Sequence, residues 1–107
     1  MKARKYSGER DLVLLQDVNA RAIAVTEHCG YLHPGDIPHH LFNGNRYYDP
    51  VEVMTIWEDD QGVVAWLLAQ PRHKSFDAQV RHDLRGGNLE QEVLEETETL
   101  LVELMKK

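Results

Sequence analysis

The residues best suited to chemistry fall in three places along the 107-residue chain. A Pro-, Gly- and His-rich stretch around residues 31–50 carries His33, Asp36, His39 and His40, side chains of the kind that hold zinc or nickel. Their spacing fits no established ligand pattern, so no metal is expected. His28 and Cys29 bring a base type next to a thiol. Adjacent helical residues do not face each other, and Cys29 reads as a small, half-buried residue at a helix end. The third place is the run FDAQVRHDLRGGNLEQEVL from Phe76 to Leu94. Read by itself, it is a strand, a Gly-Gly turn and a helix.

Composition narrows the classes of function. Hydrophobic residues make up 42% and charged residues 28%, the balance of a single globular domain with one core. The net charge is −6, and the only basic cluster is Lys2, Arg4 and Lys5. Nucleic acid is therefore not an expected partner, because phosphate backbones demand clustered Lys and Arg. A single cysteine allows no intrachain disulfide, which points to a reducing, cytoplasmic setting. The apolar runs are far short of a membrane span, and the first residues lack a signal peptide's apolar region.

Several elements must position these residues. Residues 2–7 suit a short edge strand or an ordered arm. From Asp11 to about His28, Leu12, Leu15, Val18, Ala22 and Val25 recur at helical spacing, with Gly30 placed to cap the end. A loop follows, with room for one helical turn at His39–Phe42. Val51, Val53, Thr55 and Trp57 alternate with Glu52, Met54, Ile56 and Glu58, predicting a strand buried mainly on one side. A turn at Asp59–Gly62 joins it to a more apolar strand from Val63 to Ala69, and a third strand runs from Phe76 to Val80. A long helix from Leu89 to near Met105 would bury Val93, Leu94, Leu100, Leu101 and Leu104, with Thr97 inside the stripe. Asn88 is placed to be its N-cap, and Gln91 to complete a capping box. Trp57 or Trp66 is expected to pack beneath that helix. The fold class expected is α+β, a small antiparallel sheet with packed helices.

The segment from Phe76 to Leu94 resembles the acetyl-CoA signature of the GNAT family of N-acetyltransferases. There a strand runs into a basic, Gly-containing loop, roughly V-x-P-x-x-R-G-x-G-x-G/A, and a helix follows at once. The order of elements also resembles the first two-thirds of that fold, without its last strands and fourth helix. The resemblance implies that Val80, Arg81, Arg85, Gly86, Gly87 and Asn88 bind acetyl-CoA or coenzyme A. Such a loop is an anion site, in which backbone N–H groups and the helix dipole hold the pyrophosphate. The strand beside it offers main-chain groups to the pantetheine arm. Here His82 stands at or near the usual proline, Gly87 replaces a residue that is often basic, and Asn88 and Glu90 replace the second and third small residues. Glu90 and Glu92 bring negative charge toward the phosphates, a repulsion of roughly 4 kcal/mol for a pair about 4 Å apart at an effective dielectric of about 20.

The resemblance also implies an acceptor-amine pocket in the loop after the first helix, with Tyr31, His33, Asp36, His39 and His40 as its contacts. A glutamate base is implied on the first hairpin strand, where Glu52 and Glu58 lie. The tyrosine acid of the family has no counterpart before Lys107. The expected function is a GNAT-like domain with weak or no acyl transfer by itself, binding a ligand or a partner. One alternative is an active acetyl-CoA-dependent N-acetyltransferase completed by dimerisation or a second chain. Another is an interaction module unrelated to GNAT proteins. An open sheet edge makes a homodimer or a partner chain the expected assembly.

Overall fold

The computed structural model describes residues 2–26, 34–38, 41, 48–60, 62–71 and 75–106. It is an α+β domain built in the order β1 (Lys2–Lys5), α1 (Glu9–Thr26), α2 (Asp36–Pro38), α3 (Pro50–Val53), β2 (Met54–Asp59), β3 (Gly62–Gln70), β4 (Ser75–Val80), a 3-10 turn (His82–Leu84) and α4 (Asn88–Met105). The four strands form one antiparallel sheet in the order β1-β2-β3-β4.

The two long helices cover opposite faces of this sheet. Ile56 stands opposite Trp66, and Trp66 opposite Gln79, so these three share one face. Trp57, Ala65 and Val80 share the other. Buried Asn19 of α1 accepts the Trp66 indole N–H at 3.2 Å, and Glu92 of α4 accepts that of Trp57 at 3.1 Å. Trp57 thus lies beneath the long helix, and Trp66 beneath α1. With both faces covered, residues 53–57 and 63–70 are buried without interruption. The alternation read in the first hairpin strand is real as geometry but does not mark one wet face. Each fully buried leucine, such as Leu67 or Leu68, contributes about 2–3 kcal/mol of transfer free energy.

The structure differs from the sequence reading at several points. The segment Pro50–Val53 is helical rather than the start of a strand, and β2 begins only at Met54. Asp49 caps it by accepting from the Val51 N–H at 3.0 Å, Glu52 reaches back to the Asp49 N–H, and Pro50 takes the first helical position. That local capping chemistry outweighs the period-2 pattern. In α1, the residues fully turned to the sheet are Asp11, Leu15, Asn19 and Ala22, while Val25 is 62% exposed. Helix α4 takes its N-cap from Gly87, which has no side chain to cap with, so Asn88 is the first helical residue and the expected box with Gln91 does not form. Gln91 instead donates to Glu95 at 3.3 Å. The helical turn expected at His39–Phe42 lies, Leu41 apart, outside the described residues, and a short turn is found at Asp36–Pro38.

Beneath α1 two polar groups do structural work that hydrophobic periodicity misses. Asn19 Nδ2 donates to Gln79 Oε1 at 3.1 Å, tying α1 to β4 through the same side chain that holds Trp66. Asp11 accepts both guanidinium arms of Arg4, at 2.7 and 2.9 Å, together with the backbone N–H and hydroxyl of Ser7. Arg4 also reaches Glu58 at 3.0 Å, joining β1, α1 and β2.

Candidate functional site

The segment from Phe76 to Leu94 folds as a strand, a turn and a helix, as its residues predict. Strand β4 pairs with β3 along its whole length, from Gln70↔Ser75 to Ala65↔Val80. The chain then turns through residues 82–84, anchored by the half-buried Leu84, and reverses at Gly86. Gly86 has φ +78°, a left-handed conformation that glycine adopts without the strain of a Cβ. Gly87 is extended (φ −104°), and a Cβ there would meet only the Leu84 carbonyl at 3.6 Å, an ordinary contact. Of the two glycines, only Gly86 is demanded by the backbone.

Helix α4 starts directly behind this turn and runs for 18 residues with no side chain capping its first turn. Its N-terminal amides therefore carry the positive end of the helix dipole. Leu89 packs against the core and fixes the helix on the sheet, as an apolar anchor should. Between β4 and α4 lies a half-open groove of about 230 Å³, lined by Phe76, Ala78, Val80, Arg85, Glu90, Val93 and Leu94. A shallower depression of about 360 Å³ lies on the solvent side of the turn, lined by Gly86, Gly87, Glu90, Gln91, Leu94, Glu95 and Glu98.

The named residues thus divide. Val80, Arg85, Gly86 and Gly87 line these two depressions, and Asn88 stands exposed at the helix start. Arg81 goes elsewhere: residues alternate across a strand, and Arg81 follows Gln79 to the α1 side. It lines a separate cavity with Leu14, Asp17, Val18, Arg21, Gly62 and Val63. Asp83 holds its guanidinium at 2.6 and 3.1 Å, and this ion pair raises the Arg81 pKa. Glu92 is drawn to the Trp57 indole on the opposite flank of α4. The carboxylates that line the shallower depression are Glu90, Glu95 and Glu98. The resemblance singled out Glu90 but not the other two; Glu98 follows Glu90 by eight residues, about two helical turns, and Glu95 precedes Glu98 by three.

Of the acceptor-loop residues, Asp36 is exposed at the start of α2, and Tyr31, His33, His39 and His40 lie outside the described residues. Cys29 does too. Among the described residues no cluster of three metal-binding side chains occurs. Glu52 serves the α3 capping box and Glu58 the Arg4 ion pair. Tyr48 packs against the core.

The groups with perturbed acidity near α1 have structural causes. Hydrogen bonding from Arg4 and Ser7, working against burial, holds the Asp11 carboxyl down to about 2. Asp11 in turn raises the Arg4 pKa. Burial raises the Tyr6 phenol, helped by the charges of Asp11 and Glu9. Among the described residues, no helix is long and apolar enough to cross a membrane.

Searches against known protein families and curated proteins return no match for this chain.

Proposed function

We propose that the chain is a GNAT-like domain that binds an anionic ligand of the coenzyme A type weakly at the β4–α4 turn and does not transfer acyl groups by itself. The observation that supports this reading is the N-terminus of α4, without a side-chain cap, behind the left-handed Gly86 and beside a depression lined by Gly86 and Gly87. Backbone N–H groups at such a terminus bind phosphate without needing a basic side chain, and Arg85 lines the neighbouring groove. The order of strands and helices, with the signature segment as the last strand–helix connection, supports the same reading.

Affinity is limited by Glu90, which lines both depressions and meets a bound phosphate with like charge. A unit charge about 6 Å from the phosphate, at an effective dielectric of about 40 for this exposed site, costs about 1.4 kcal/mol, or about tenfold in affinity. Catalysis has weaker support than binding. Neither Glu52 nor Glu58 lies at the groove, and each is engaged in a local contact.

Calorimetric titration with coenzyme A and acetyl-CoA tests this reading. The wild type is expected to bind at about millimolar strength, and Glu90→Gln about tenfold more tightly. Failure of both proteins to bind at several millimolar would remove the ligand reading. Acetyl transfer to simple amines by the wild type would overturn the non-catalytic part.

A further inference from the structure

Residues 81–85 join the end of β4 to Gly86, so their conformation decides where the amides at the start of α4 stand. Arg81 is tied down at both ends of its own backbone and through its side chain. Its N–H donates to the Val64 carbonyl at 2.8 Å, which holds it to β3, and its carbonyl accepts from the Leu84 N–H at 2.8 Å, which closes the 3-10 turn. Its guanidinium donates twice to Asp83, from Nε at 2.6 Å and from Nη2 at 3.1 Å. Side chain and backbone thus brace the same short turn. A fork of two bonds fixes an angle as well as a distance, which an ammonium group cannot do.

The turn touches the helix start directly. The Leu84 carbonyl lies 3.6 Å from where a Cβ on Gly87 would stand, and Leu84 itself packs against the core. Helix α1 packs against the turn from the other side. Arg81 lines the cavity on that side with Asp17 and Arg21, and lines neither of the depressions beside Gly86 and Gly87. In that cavity Asp17 is engaged by Arg21 at 3.0 Å, which leaves Asp83 to take the Arg81 fork.

We propose that Arg81 is a positioning residue for the anion site: it does not touch the ligand, and its fork onto Asp83 holds the turn that places the amides of Gly86, Gly87 and Asn88. This rests on the reading of that turn as the ligand site. It replaces the role that the resemblance gives Arg81, which is contact with coenzyme A. The two roles differ in sign. A charge acting on the ligand would be served by Asp83→Asn, which removes a negative neighbour and so strengthens binding, and Arg81→Lys would leave binding nearly unchanged. A brace behaves otherwise. Either substitution removes the fork, so each weakens binding by about threefold, within the range that exposed ion pairs contribute. The double variant is no weaker than either single one, because the same fork is lost only once.

Amide-shift titration with coenzyme A of the wild type, Arg81→Lys, Asp83→Asn and the double variant tests this. The two side chains are 33% and 52% exposed, so neither change opens the core. Both single variants are expected to bind more weakly, the double variant to match them, and the Gly86, Gly87 and Asn88 amides of the free proteins to move in the same direction in both. Wild-type affinity in Arg81→Lys, or tighter binding by Asp83→Asn, would overturn the proposal and leave the ligand reading standing. A wild type that binds no coenzyme A at several millimolar would overturn the ligand reading. The brace is then judged on the free variants, where unmoved Gly86 and Gly87 amides would overturn it too.

Discussion

Lowering pH should strip the Arg4–Asp11 connection of its value before it touches the apolar core. Asp11 has its carboxyl held at about 2 in the folded state, against an ordinary 3.8. A depressed acid stabilises the fold at pH values above its unfolded pKa, and the gain is lost as pH falls toward the folded pKa. The shift corresponds to about 2 kcal/mol at neutral pH, falling to about 1 kcal/mol near pH 3 and under about 0.5 kcal/mol near pH 2. Asp11→Asn keeps an acceptor for the Ser7 N–H but removes the charge facing Arg4. Urea unfolding of the two proteins should therefore show a stability gap of about 2 kcal/mol at pH 7 that closes on acidification. Other carboxylates titrate in both proteins alike, so the gap isolates Asp11. A gap that stays constant from pH 7 to pH 2.5 would refute the reasoning.

Other outcomes follow from single side chains. Asn19→Leu leaves the Trp66 indole N–H and the Gln79 amide oxygen without their buried partner, and should cost about 2 kcal/mol by urea unfolding, with a shift in tryptophan emission. Gly86→Ala, forced to φ +78°, should lose about 1 kcal/mol or more, whereas Gly87→Ala should lose less than about 0.5 kcal/mol.

The sequence made the antiparallel hairpin, the strand before the Gly-Gly turn and both long helices legible, because each has a strong period and clear turn residues. Two-sided burial of β2 was not legible. Its residues alternate in kind, Thr55 and Trp57 against Met54 and Ile56, yet all four are buried. Only the helix on each face reveals that. The start of β2 was obscured because Val51 and Val53 fit a strand, while Asp49, Pro50 and Glu52 carry a helix-start signal of equal clarity that takes precedence. Asn19 was passed over because an apolar stripe is counted in apolar residues, and a buried amide that binds an indole looks polar and exposed in such a count.

Within the candidate site, Val80, Gly86 and Glu90 were named by the resemblance, and the structure places them along the two depressions. The departure of Arg81 to the α1 side needed strand parity and the Asp83 carboxylate to be seen together. Glu92 was read as a charge near the phosphates because it follows Glu90 by two residues. On a helix that interval is about 200°, so Glu92 meets Trp57 across the top of the sheet instead.

The claim at the centre of this account is that the turn before α4 is where an anionic ligand binds. Backbone amide shifts of isotopically labelled protein during titration with coenzyme A test it most directly. The account predicts the largest shifts at Gly86, Gly87, Asn88 and Leu89, saturating at lower ligand concentration in Glu90→Gln. Shifts centred on another surface, or none at several millimolar, would contradict it.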